Sequence, residues 1–401
     1  MTMTSTKEVL DREIKIHANH LGGSKKNRKI VYVFQGGGAL GSFQVGGVEA
    51  LYEHDYRADM VVGISIGGMN AAIVAGNPPE KRLEKLKQFW DKITVSIPLP
   101  NLPFLGMAKV HNYFGAQHAL CLGQPGFYKP KLLNPWLLNN ATPDQLCFYD
   151  TSPLRETLEE VIDFEYLNQG HVRLCLGATD LASGDFVFFD SSKEKIAVEH
   201  IMASGALPPG FPAIEIDGRY YVDGGVYANT PLSKVLEEFA DTEHDICDVL
   251  CFMFDLFSAT GPLPHTMDGM LERIKDIQYS SHSKRSSTIY STSQNLSHAI
   301  KFLSSKLPAE AKHDPDVKAI LKLGNAHRLD LVHVIYHSKK GTELNSKDYN
   351  FSAEAAYLHY RQGYEITHKL IESQQQEWSK KHSEGISIYT INEDKPATVN
   401  S

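Results

Sequence analysis

The chain has 401 residues, enough for one large domain or two. Its apolar content of 42% and charged content of 22% are ordinary for a soluble globular protein. A net charge of −8 speaks against a general nucleic-acid binder, because phosphate binding draws on a basic surface.

Residues 1–28 read as a polar tail without the apolar core of a signal peptide. The basic run Lys25-Lys26-Asn27-Arg28-Lys29 closes it. That run is a solvated linker before the first strand or an attraction to an anionic membrane surface. Five cysteines, Cys121, Cys147, Cys175, Cys247 and Cys251, are odd in number, and several lie in apolar runs. They read as buried thiols of a reducing compartment, with no C-x-x-C spacing to suggest zinc. The expected location is cytoplasmic, and no metal or cofactor is expected.

From Lys29 to Asn77 the chain reads strand, glycine loop, helix, strand, serine elbow, helix. Ile30 to Phe34 has the apolar, β-branched content of a buried strand. Gly36, Gly37 and Gly38 follow it, and Phe43, Gly47, Ala50 and Leu51 then fall on one side of a helix. Met60 to Val62 enters Gly63-Ile64-Ser65-Ile66-Gly67, and the next helix stops before Pro78-Pro79. In G-x-S-x-G the serine occupies a tight strand-to-helix turn, where flanking glycines clear room for the turn and the substrate. The Ser65 hydroxyl then sits at a helix N-terminus that favours developing negative charge. The triple glycine leaves N–H groups open to an oxyanion. Nucleophile and donors together suggest acyl transfer. Gly36, Gly38 and Gly41 also fit the dinucleotide pattern G-x-G-x-x-G. That fold wants an acidic residue at the end of the second strand, whereas Asp59 stands at its start.

Pro79 to Ile93 forms an amphipathic helix with Leu83, Leu86, Phe89, Trp90 and Ile93 on one face. Residues 94–128 are apolar and rich in proline and glycine, with Lys109 as the one charge. They read as an irregular lid-like insertion that lines an acyl pocket, touches lipid or packs on the body. Ser152 to Ile162 is a helix, and Val172 to Ala178 and Asp185 to Phe189 are strands. Residues 195–206 form a helix carrying His200. Tyr220-Tyr221-Val222 then runs into Asp223-Gly224-Gly225, either a turn or a carboxylate held at a strand end facing a crevice.

G-G-G-A-L-G, G-I-S-I-G and D-G-G followed by Val226 to Leu232 together resemble the patatin-like phospholipase family over about Lys29 to Val235. The resemblance implies a patatin-type three-layer α/β/α fold with a mostly parallel central sheet. It implies a Ser65–Asp223 dyad without histidine and an oxyanion hole from Gly36, Gly37 and Gly38. Gly41, Gly63, Gly67, Gly224 and Gly225 support those motifs. Many relatives carry Asp before the glycines and a basic residue further on, where this chain has Gln35 and Leu40. A charge that could bind a substrate phosphate is therefore absent. A Ser-His-Asp triad is the alternative, but His333 and His337 lie on an apolar strand-like run and read as structural.

Val249 to Leu256 is one more buried strand and closes a catalytic domain over 29–260. Residues 261–373 read as a mainly helical C-terminal extension, and this region resembles the C-terminal extension of a bacterial subgroup of patatin-like proteins. Thr266 to Ile277 is helical, Ser280 to Ser305 is serine-rich, and Leu329 to Tyr336 is a strand. Ser352 caps a long helix. The extension would cover the site, mediate homo-oligomer formation or bind a partner. Residues 374–401 read as a polar tail. The expectation is a serine lipid acyl hydrolase acting on a lipid or ester, with peripheral membrane contact. The alternatives are a hydrolase of short-chain or hydroxyacyl esters and a catalytically silent binding protein.

Overall fold

The computed structural model describes residues 28–97, 107–238, 248–324, 329–338, 343–379, 386–392 and 395–400. Residues 1–27, Cys247 and the 98–106 part of the apolar insertion lie outside them. The chain opens with β1 (Arg28–Phe34), α1 (Ser42–Glu53), β2 (Met60–Ile64), α2 (Ile66–Ala75) and α3 (Arg82–Ile93). Next come α4 (Met107–Leu122), β3 (Lys129–Pro130), β4 (Tyr149–Asp150), α5 (Ser152–Val161) and α6 (Phe164–Asn168). β5 (Arg173–Asp180), β6 (Phe186–Asp190), α7 (Val198–Ser204), β7 (Ile214–Ile216), β8 (Arg219–Asp223) and α8 (Leu232–Glu238) follow. The C-terminal part supplies β9 (Asp248–Asp255), α9 (Met267–Lys306), α10 (Pro315–Lys322) and β10 (Leu329–Ile335), then α11 (Ala353–Ser379), β11 (Ile386–Asn392) and β12 (Lys395–Asn400).

The main sheet runs β12-β11-β10-β9-β1-β2-β5-β8-β7, with β6 also paired to β5. From β11 to β5 every pairing along this order is parallel, and β6, β7, β8 and β12 are antiparallel. A parallel sheet must be covered on both faces, and its strands are apolar on both sides. Alternate side chains of β1 accordingly feed two cores. Tyr32 and Phe34 join Phe252, Phe254 and Val332 on one face, under α1, α2, α3 and α5. Val31 and Val33 join Cys251, Met253 and Leu331 on the other, under Leu232 and Val235 of α8. The result is a mixed, mostly parallel sheet covered on both faces, the three-layer architecture that the resemblance implies.

The C-terminal region is helical in α9, α10 and α11, and it is built into this sheet. β10 lies beside β9 and carries β11 and β12 outward. α11 packs on α1 backbone to backbone: a Cβ at Gly46 would lie 1.9 Å from the Tyr360 carbonyl oxygen, and one at Gly363 1.9 Å from that of Phe43. Three local expectations change. The segment read as irregular over 94–128 contains the helix α4. The serine-rich stretch does not interrupt a helix but lies inside the single 40-residue α9. The residues read as a polar tail from Gln374 continue α11 to Ser379 and then supply β11 and β12, where Tyr389 is fully buried. The β-branched alternation in Ile386–Asn392 is the strand signal that a polar composition conceals. No described helix is long and apolar enough to cross a membrane.

Candidate active site

One strand acts as the ruler of the site. β5 pairs with β2 through Arg173 to Gly177, ending with Ile64 opposite Gly177. It then pairs with β8, beginning with Asp223 opposite Ala178. Ile64 and Asp223 thus stand opposite consecutive positions of one strand, and Ser65, which follows Ile64 directly, is brought beside a residue 158 positions away in sequence. On the other side Phe34 lies opposite Gly63, which brings Gln35 and the glycines to the same edge. This is the edge where α/β sheets gather their sites, beyond the carboxyl ends of parallel strands.

Ser65 has φ 56° and ψ −129°, a conformation that costs a residue with a Cβ on the order of 1–3 kcal/mol. The surroundings enforce it. The Ser65 N–H donates to the Ser204 carbonyl at 3.0 Å and to Ser204 Oγ at 3.1 Å. Ser204 Oγ in turn donates to the Gly177 carbonyl at 2.7 Å. A Cβ at Gly63 would fall 2.3 Å from the Gly67 carbonyl oxygen, and one at Gly67 2.5 Å from that of Phe34. The turn therefore closes only with glycine at both flanks. Gly41 gives the same clearance to Ile66, where a Cβ would come within 2.7 Å of Cγ1.

Asp223 is 1% exposed. Its Oδ1 accepts from the Gly225 N–H at 2.7 Å. Its Oδ2 is buried and makes no hydrogen bond of standard geometry. Burial pushes the carboxyl up to about 6, against the opposing effects of the Ser65 hydroxyl and the Gly225 N–H. Gly224 fits because its missing Cβ would lie 2.7 Å from the Gly177 carbonyl oxygen, and Gly225 because its Cβ would lie 3.0 Å from Asp223 Oδ1.

The glycine loop stands over Ser65. A Cβ at Gly36 would lie 3.1 Å from the Ser65 Cβ and 2.6 Å from Asn229 Oδ1. Gly36 itself is not a free donor: its N–H goes to the Asn229 carbonyl at 3.2 Å, which removes it from the expected trio. Asn229 Nδ2 returns a bond to the Gly36 carbonyl at 2.9 Å. Among the described hydrogen bonds, the N–H groups of Gly37, Gly38 and Ile66 have no acceptor.

Gln35 is fully buried and is the pin of this loop. Its Nε2 donates to Thr230 Oγ1 at 2.9 Å and to the Tyr279 carbonyl at 3.1 Å. Its Oε1 accepts from the N–H groups of Leu256 at 2.5 Å and Phe257 at 3.2 Å. Leu40 is also fully buried, among the core side chains. Neither residue is among the lining residues of the cavity.

Ser65 and Asp223 share a cavity of about 170 Å³ with the three glycines. Its walls are apolar and aromatic, including Met69, Phe127, Leu207 and Phe211, and its described lining contains no histidine, lysine or arginine. His333 is instead 2.6 Å from Asp255 through Nε2. Covering the site was one of the roles open to the C-terminal extension, but sequence reasoning named none of the residues of one whole wall. Phe257, Tyr279, Asp348, Tyr349 and Phe351 come from the C-terminal part of the chain. It also missed Asn229 and Ser204 as positioning groups. Asn229 stands in the stretch after D-G-G, but nothing in the spacing signals its bond to Gly36. Among the described residues no cluster could hold a metal ion.

Residues 277–384 match a family described as Patatin phospholipase. VipD from Legionella pneumophila is similar in structure at 15% identity and TM-score 0.36, over 87% of this chain and 68% of that one. The type III effector protein ExoU is similar at 13% identity and TM-score 0.33, over 88% of this chain and 54% of that one. A structure of SpcU in complex with ExoU from Pseudomonas aeruginosa matches at 16% identity and TM-score 0.26, over 74% of this chain and 60% of that one. Residues 32–236, more than half of the chain, match the family Patatin-like phospholipase, and the chain belongs to that family.

Proposed function

We propose that the chain is a serine lipid acyl hydrolase that cleaves carboxylic esters of the phospholipase A or lysophospholipase type through an acyl-serine. The observation that carries this is that Ser65, on a left-handed elbow, shares the cavity with a buried carboxylate, Asp223, which burial pushes up to about 6 and whose Oδ2 makes no hydrogen bond of standard geometry. A base in that range accepts a proton near neutral pH more readily than an ordinary carboxylate. Asp223 takes the Ser65 proton as Oγ attacks the ester carbonyl. The N–H groups of Gly37, Gly38 and Ile66 receive the negative oxygen, and each such donor is worth about 10²–10³ in rate. The tetrahedral centre collapses, the alcohol leaves with the proton from Asp223, and water activated by the same carboxylate releases the fatty acid. The apolar walls suit an acyl chain, and with no cation among the described lining residues, a head group would sit at or outside the mouth. Cys147, Cys175 and Cys251 are buried free thiols, which suits work in a reducing cytoplasm.

A fluorophosphonate probe tests this directly. It should label the wild-type chain at Ser65, and the labelling rate should fall about tenfold per pH unit below about pH 6, as Asp223 takes up its proton. Failure to label folded protein at pH 8 would favour a silent binding protein. Asn229→Ala should lower kcat on a short ester about 10–100-fold with little change in KM, because it frees the glycine loop over Ser65 without touching the acyl pocket wall as a whole. An unchanged kcat would remove Asn229 from the positioning groups.

A further inference from the structure

The ribbon β3–β4 carries a loop, residues 131–148, whose apolar side chains face outward. Leu132 is fully exposed, Trp136 is 84% exposed and Leu137 71%. A monomeric protein rarely leaves such a group uncovered without a use for it. The loop is built rather than loose: Asn134 Oδ1 accepts from the Trp136 N–H at 3.1 Å and caps the turn Pro135–Leu137. The Lys131 N–H donates to the Phe148 carbonyl at 2.8 Å and closes the base. Leu120 and Leu122, exposed at the end of α4, adjoin this ribbon, where the Tyr149 hydroxyl donates to the Leu120 carbonyl at 2.8 Å.

The loop is also bound to the mouth of the cavity. The N–H groups of Phe148 and Tyr149 donate to the carbonyls of Pro209 and Gly210, at 3.1 and 2.9 Å. Tyr149 packs on Tyr128 with ring centroids 4.8 Å apart, and Tyr128 lines the cavity with Leu207 and Phe211. Charge selects the partner. The chain holds 48 acidic residues, yet none falls between Asp91 and Asp144, while Lys109, Lys129 and Lys131 do; Lys92, on α3, is paired with Glu160. Asp150 at the base of the ribbon pairs with Lys129 at 3.2 Å. The loop tip, residues 131–138, carries Lys131 and Trp136 and no acid, and on an acidic protein such a tip complements an anionic lipid surface.

We propose that residues 131–138 and the adjoining end of α4 form a docking face for an anionic phospholipid bilayer, seating the cavity mouth against lipid. This rests on the acyl hydrolase reading for its use but not for its test. Binding is measured on the full chain carrying Ser65→Ala, so that no lipid is consumed, with vesicles of phosphatidylcholine alone or mixed with phosphatidylglycerol. The chain should bind the mixed vesicles and be released by high salt. Adding Leu132→Ser and Trp136→Ser should weaken partition about 10–100-fold. In the chain with Ser65 intact, the same pair should leave hydrolysis of a water-soluble ester unchanged. Equal partition of both chains, or equal binding to neutral and mixed vesicles, would overturn the proposal. So would absence of vesicle binding together with a dimer that the double substitution dissociates, which would assign the face to a second copy. Vesicle binding in a chain that no fluorophosphonate labels would leave the face standing and remove the hydrolase.

Discussion

Asp223→Asn is expected to abolish turnover and to make the protein more stable. The asparagine keeps an oxygen for the Gly225 N–H, so the strand end and the loop are undisturbed. It cannot take the Ser65 proton, and loss of the base should reduce kcat by on the order of 10³–10⁵, comparable to Ser65→Ala. The stability change has the opposite sign. The folded carboxyl holds its proton up to about pH 6, whereas the unfolded one releases it near 3.8. Between those values the folded state binds more protons, so wild-type stability falls as pH rises and the loss is complete above about pH 6. The cost of ionising this buried group is up to about 3 kcal/mol at pH 8. Asparagine has no charge to bury. Its melting temperature should exceed the wild type's by several degrees at pH 8, and the gap should close toward pH 4. Thermal melts at the two pH values, beside ester turnover, check both halves. An asparagine variant no more stable at pH 8 than at pH 4, relative to wild type, would mean that Asp223 is not a desolvated carboxylate.

Much of this site is legible in the chain because its demands are local. Glycine at position 63 is forced by the Gly67 carbonyl oxygen four residues on, so there the motif and the turn are one fact, whereas Gly67 is forced by the end of β1. The strands β1, β2 and β9 read as apolar runs because both faces are buried. Gln35 reads as a lost charge only against the pattern that the resemblance implies, but its role depends on Thr230, Leu256 and Tyr279, up to 244 residues away. Gly36 looks like a donor equal to its neighbours, and only the approach of Asn229 consumes its N–H. The helix α4 hides in a segment whose prolines flank it rather than enter it. Contacts of that range leave no periodicity or spacing behind them.

Lys347→Met is expected to destabilise the protein and to slow it, because the wall contributed by the C-terminal part is held by a buried ion cluster. Residues 346–351 cross the glycine loop as a strap. A Cβ at Gly38, where φ is +53°, would fall 2.0 Å from the Asp348 carbonyl oxygen, so the strap rests on the loop's backbone. Lys347 Nζ, almost fully buried, donates to Asp276 Oδ1 at 2.9 Å and Glu272 Oε1 at 3.1 Å on α9. Lys275 reaches back to Asp348 Oδ1 at 2.7 Å and to the Asn345 carbonyl at 2.6 Å. Removing Lys347 leaves two carboxylates partly buried without their cation, a loss of about 3–5 kcal/mol. For comparison, Arg361→Ala breaks only an exposed pair with Glu365 and should leave the melting temperature nearly unchanged. Burial already raises the Asp276 carboxyl above its ordinary range, with Lys347 opposing. Without the lysine it rises further, and a carboxyl raised in the folded state loses stability as pH rises. The deficit should therefore be largest at pH 8 and shrink toward pH 4, the same direction as wild-type Asp223 but absent from the Arg361 control. Well below its melting temperature the variant should still lose about tenfold in kcat, since a loosened strap no longer fixes the Gly38 N–H over the oxyanion position. Lys347→Met combined with Asp276→Leu should recover part of the stability while leaving kcat low. Recovery of both together would place the catalytic loss in general unfolding rather than in the strap.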